Sequence, residues 1–179
     1  MPLLNSDTAT LVLIDFQARL MPAIDNGTQV VHNARRLLGV AKMLGVPALL
    51  TEQNVAGLGA TVPDIASVAD GPIVHKMTFD ACRADGFHDL LTSERPDLII
   101  TGCEAHVCVL QTVLSLLQEQ RRVFVVRDAI GARRAESHET AVQRMARHGA
   151  DIVTTEMVVF EWLGTAENPH FREASRLIR

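Results

Sequence analysis

A chain of 179 residues suits one domain, and 47% hydrophobic against 21% charged residues excludes long disorder. A net charge of -4, spread without long runs, leaves no basic footprint for nucleic acid, so a small-molecule partner is expected. No apolar stretch reaches the ~18 to 20 residues of a membrane span, and the opening MPLLNSDTAT lacks a signal-peptide layout, which predicts a cytoplasmic protein with no membrane partner.

The first β-rich run, TLVLID at 10 to 15, ends in Asp15 with Gln17 close behind. An amphipathic pattern over 27 to 45 predicts a helix, and Gly45 sits where a left-handed cap would stop it. PALLTE at 47 to 52 is the second strand, closing on Glu52 and Gln53; the glycines and prolines of 54 to 71 then read as an extended loop. PIVHK at 72 to 76 ends on His75 and Lys76, and a helical pattern follows over 80 to 94. DLIITG at 97 to 102 leads into Cys103 and Glu104, with a helix expected over 106 to 120. RVFVVRD at 122 to 128, a helix over 136 to 148, ADIVTT at 150 to 155 and a terminal helix in FREASRLIR complete the chain. Strands alternating with helices imply a six-stranded, mostly parallel sheet covered on both faces, an α/β fold of three layers (α/β/α, Rossmann-like) in a single domain spanning 1–179.

Ligands of such sheets bind beyond the carboxyl ends of the strands, and here those ends are conspicuously polar. In TGCEAHVCVLQT a strand turns into a helix beginning close to Cys108. A thiol at a helix start faces unpaired N–H groups, which favour the reactive thiolate. Asp15 and Lys76, arriving from neighbouring strand ends, would supply a proton acceptor and a cation. Singly, each residue has a plainer explanation: Cys is a common buried hydrophobe, Asp a common helix cap and Lys a common solvated strand end. Their conjunction is what points to catalysis.

Other motifs carry less. GLGATV at 57 to 62 lacks the third glycine of a dinucleotide fingerprint and follows the second strand, so it reads as a turn. Cys103 and Cys108 flank His106 at a spacing that fits neither a redox C-x-x-C nor a structural zinc site. His32, His88, His138, His148 and His170 read as surface or capping residues, Trp162 as packing, and RRAES at 133 to 137 as a solvated helix start.

Together VLIDFQ, TEQ, GLGATVP, HKMTF and TGCEAHVCVLQT resemble the isochorismatase-like cysteine hydrolase family, nearest to its isochorismatase-domain-containing subgroup. The resemblance implies a triad of Asp15, Lys76 and Cys108, a cis peptide between Cys103 and Glu104, and an oxyanion hole from the backbone N–H groups of Glu104 and Cys108. It also implies a homo-oligomer. TEQNVAG stands where nicotinamidases of the family carry an Asp-x-His metal motif, so no catalytic metal or other cofactor is expected. The expected activity is cysteine-dependent hydrolysis of a small amide or ureide through a thioester, with Gln17, Gln53 and Phe79 lining the pocket. Two rivals are a binding or scaffold member that has lost turnover, and a thiol redox protein using Cys103 and Cys108.

Overall fold

Six runs rich in Val, Ile and Leu hydrogen-bond into one sheet: β1 (Ala9–Ile14), β2 (Ala48–Gln53), β3 (Ile73–Lys76), β4 (Asp97–Cys103), β5 (Arg122–Gly131) and β6 (Asp151–Val153). The computed structural model describes residues 3–178; Met1, Pro2 and Arg179, the last residue of the expected terminal helix, lie outside them. Every strand pair is parallel, in the order β3-β2-β1-β4-β5-β6, where the sequence predicts a mostly parallel sheet. Central strands β1 and β4 are buried along their whole length, whereas β3, at the edge, alternates exposed and buried residues. Covering on both faces explains why the central runs are continuously apolar.

The helices are α1 (Gly27–Leu44), the one-turn α2 (Val55–Leu58) and α3 (Pro63–Ala66), α4 (Leu110–Gln118), α5 (Ala135–Arg147), α6 (Thr155–Leu163) and α7 (Phe171–Leu177). Side chains alternate across β1, so Leu11 and Leu13 join one core with α1, α6 and Ala174 of α7, while Val12 and Ile14 join a second core with α4 and α5. Leu37 of α1 and Val113 of α4 are fully buried anchors of the two layers. Truncating such a leucine to alanine typically costs about 2 to 5 kcal/mol.

Several expectations are corrected. The helix predicted over 80–94 is replaced by two 3-10 turns, Ala81–Arg83 and His88–Leu90. Asp80 caps the first turn by accepting the Cys82 N–H, and Gly86, with φ +79°, interrupts any continuation. Phe87 and Leu91 still reach the core, which accounts for the apolar pattern. Within the expected loop at 54–71 lie α2 and α3. The sixth strand stops at Val153 because Thr154 becomes the cap of α6, its hydroxyl accepting the Met157 N–H at 3.3 Å, a helix the sequence reading did not contain.

The sheet order reverses between β1 and β4: the chain proceeds outward to β3 in one direction, then to β6 in the other. A crevice opens at the carboxyl ends of strands at such a reversal. Gly102, at φ +126°, lets β4 pass close to β1 there, since any side chain would run into the Ile14 carbonyl.

Candidate active site

Asp15 leaves β1 in a left-handed conformation, φ +52°, with its N–H donating to the Thr51 carbonyl at 3.1 Å. Its carboxylate is fully buried and held from two sides. The Thr51 hydroxyl donates to Oδ1 at 2.6 Å, and Lys76 Nζ donates to Oδ2 at 2.7 Å. The Lys76 ammonium also donates to the carbonyls of Thr78 (3.3 Å) and Phe79 (3.2 Å), so all three of its protons are used. A buried ion pair survives when hydrogen bonds satisfy both members in this way.

Cys108 is 7% exposed and lies close enough for both charges to act on its thiol. It sits in a π-helical turn, Ala105–Val109, that runs into α4. The expectation that a helix start and a lysine would favour the thiolate is corrected. Burial, followed by the Asp15 carboxylate, pushes the thiol up to about 12, and the pull of Lys76 in the other direction is smaller. At rest the sulfur is protonated, beside a carboxylate able to accept its proton.

The peptide between Cys103 and Glu104 is cis, as the resemblance implies. The Glu104 carbonyl accepts from Val107 N–H (3.0 Å) and Val109 N–H (3.2 Å) and passes over Cys108. Glu104 Oε2 accepts from Arg133, from its N–H at 3.2 Å and its Nε at 3.0 Å, which ties this turn to the segment after β5. Arg133, predicted as part of a solvated helix start, is therefore a structural partner of the site; a separation of 29 positions leaves no local signal of it.

The expected pocket residues divide. Gln17 is fully buried, and its amide donates to the carbonyls of Gln53 (2.9 Å) and Gly59 (2.6 Å) while accepting the Gln53 N–H (2.8 Å). Its expected contact with substrate is corrected to a tie between loops, since neither donor remains free. Gln53 is partly exposed and donates to the Met77 carbonyl at 3.1 Å, and Phe79 presents an exposed ring. A cleft of about 430 Å³ at the ends of β2 and β3 is lined by Glu52, Asn54, Val55, His75, Lys76 and Met77. Glu52 Oε1 accepts from the Thr61 N–H (2.6 Å) and hydroxyl (2.7 Å), with His75 3.4 Å from Oε2. At the other side of the sheet Asp128 accepts from the Thr155 N–H (2.8 Å) and hydroxyl (3.0 Å), a capping role.

Cys103 and Cys108 belong to the two different cores, Cys103 with Ile24 and Val30, Cys108 with Ala105 and Val109. That placement gives no support to a redox pair.

Sheet order, parallel pairing and helices on both faces are those of the isochorismatase-like hydrolase fold. Residues 9–157 match the family model described as "Isochorismatase domain", and the chain belongs to the isochorismatase family. It is 36% identical over 175 residues to isochorismatase domain-containing protein 2 of Homo sapiens, covering 96% of this chain and 83% of that protein. The structure of Mar1 ribonuclease from Caenorhabditis elegans superposes with a TM-score of 0.94 at 32% identity, covering 99% and 92% of the two chains. The YcaC gene product of Escherichia coli, described as an octameric hydrolase of unknown specificity, gives 0.88 at 26% identity, covering 98% and 94%. No helix among the described residues is long and apolar enough to cross a membrane.

Proposed function

We propose that the protein is a cysteine-dependent hydrolase of a small amide, ureide or related C–N substrate. The observation that carries this reading is the buried Asp15–Lys76 pair, 2.7 Å apart, acting on the Cys108 thiol. Asp15 accepts the thiol proton as sulfur attacks the substrate carbonyl, and Lys76 keeps the carboxylate in place. The N–H groups of Glu104 and Cys108 receive the developing oxyanion. Collapse of the tetrahedral intermediate expels the amine, which takes its proton from Asp15, and leaves a thioester. Water deprotonated by Asp15 then attacks the thioester carbonyl, and collapse breaks the C–S bond, releasing the acid while the leaving sulfur recovers its proton from Asp15. Gln53 and Phe79 are the proposed substrate contacts, and Gln17 acts through Gln53.

The name of the nematode relative raises RNA as a rival substrate. A net charge of -4 and a thiol enclosed below the surface favour a small molecule over a polyanion. The test is an ammonia-release screen over small amides, ureides and carbamoyl compounds, comparing wild type with Cys108→Ala. Turnover lost in the variant, with its circular dichroism unchanged, supports the mechanism; unimpaired turnover rejects it.

A further inference from the structure

Cys82, His88 and Glu119 take no part in the chemistry above, yet one ligating atom from each comes within 4.8 Å of the other two, the only such convergence of His, Cys, Asp and Glu among the described residues. We infer that these three side chains form a binding site for a divalent ion of the zinc class.

The donor set selects the ion. A thiolate, an imidazole and a carboxylate are the three protein ligands zinc takes, whereas calcium and magnesium require oxygen. Three protein ligands leave the fourth tetrahedral position to water. Zinc bonds of ~2.0 to 2.3 Å place tetrahedral ligand atoms about 3.5 Å apart, so closure asks for a movement of about 1 Å. His88 and Glu119 are both exposed enough to make it.

The surroundings are already organised. Asp80 Oδ1 accepts the Cys82 N–H at 2.9 Å, while Asp80 Oδ2 accepts the Ser115 hydroxyl at 2.7 Å, fixing the cysteine turn on α4. The Ala81 N–H donates to the Thr112 hydroxyl at 2.9 Å. The His88 ring sits between its future partners, with Nε2 3.0 Å from the Cys82 carbonyl and 3.6 Å from Glu119 Oε1. Arg83, the nearby cation, lies 3.5 Å from Asp80. Burial, Asp80 and Glu119 all raise the pKa of the Cys82 thiol, and the carboxylates that oppose a lone thiolate attract a metal cation. On binding, the thiol proton passes to solvent, a sulfur–metal bond forms, and Nε2 exchanges the Cys82 carbonyl for the ion. The ion would cross-link the two 3-10 turns to the end of α4, in the segment where regular helix is missing.

The inference is independent of the Cys108 reaction, and its test avoids turnover. The full chain carrying Cys108→Ala, stripped with a chelator, is titrated with Co²⁺. One ion per chain is expected, with thiolate-to-cobalt absorption in the near ultraviolet and the visible bands of tetrahedral cobalt. Cys82→Ser should remove the thiolate band. His88→Gln and Glu119→Gln, at exposed positions that leave the fold intact by circular dichroism, should each weaken binding by at least ~10-fold. Absence of the thiolate band, its persistence in Cys82→Ser, or unchanged affinity in both exposed variants would overturn the site.

Discussion

Thr51 donates to one oxygen of Asp15 while Lys76 holds the other, so the carboxylate has almost no rotational freedom. Replacing Thr51 with Val keeps the shape but leaves that oxygen buried without its partner, a loss of about 1.5 to 3 kcal/mol for a bond to a charged group. We expect a lowered melting temperature and a kcat/KM reduced roughly tenfold or more, both restored by Thr51→Ser. At Cys108 the sign of the pH response follows from a thiol raised to about 12, because the thiolate fraction climbs throughout the range below that value. Alkylation by iodoacetamide, followed by peptide mass spectrometry, should accelerate about tenfold per pH unit between pH 7 and 9 without levelling. Lys76→Met removes the charge that lowers the thiol's pKa, so labelling should slow; a plateau below pH 9 would contradict the electrostatics described for the site.

Among the elements, α6 shows what local pattern conceals. TEMVVFEWL buries Val158, Val159, Trp162 and Leu163, and its short apolar stretch has no clear polar face to betray a helix. Its start depends on Thr154 and, across the sheet, on Asp128. Asp128→Ala should destabilise the protein by about 1 to 2 kcal/mol in urea denaturation, the usual value of a lost cap. The strands were legible because a parallel sheet leaves uninterrupted Val, Ile and Leu runs, and α1 because Gly45 closes an amphipathic stripe. Residues 80–94 misled for the opposite reason: Phe87 and Leu91 are buried at helical spacing, but Asp80 and Gly86 divide the segment. The meeting of Asp15 and Lys76 was readable from strand ends, whereas Thr51, though inside the TEQ motif, showed nothing of its bond to Asp15 without the register that pairs Ile14 with Thr51. Glu52, at the same strand end, is engaged by Thr61. Chelator dialysis of the Cys82→Ser variant, which lacks the inferred ion site, should accordingly leave its kcat unchanged, and an activity loss there reversed by added metal would count against the proposed mechanism.

At the scale of the molecule, the β3 edge exposes Ile73 and the adjoining Met77 and Phe79, with Met77 72% exposed. A chain of 19.6 kDa carrying this apolar edge is expected to sediment as a homo-oligomer, and Ile73→Lys with Met77→Lys should shift it toward the monomer. An unchanged mass in the double variant would place the contact elsewhere. The sheet also stands as a wall between the Cys103 and Cys108 cores. A peroxide that converts Cys108 to its sulfenic acid therefore meets one other free thiol packed against the same core, the partly buried Cys82. Where Cys82 does not reach that sulfur, repair falls to a small-molecule thiol in competition with a second equivalent of peroxide, which carries the sulfur on to a sulfinic acid that thiols no longer reduce.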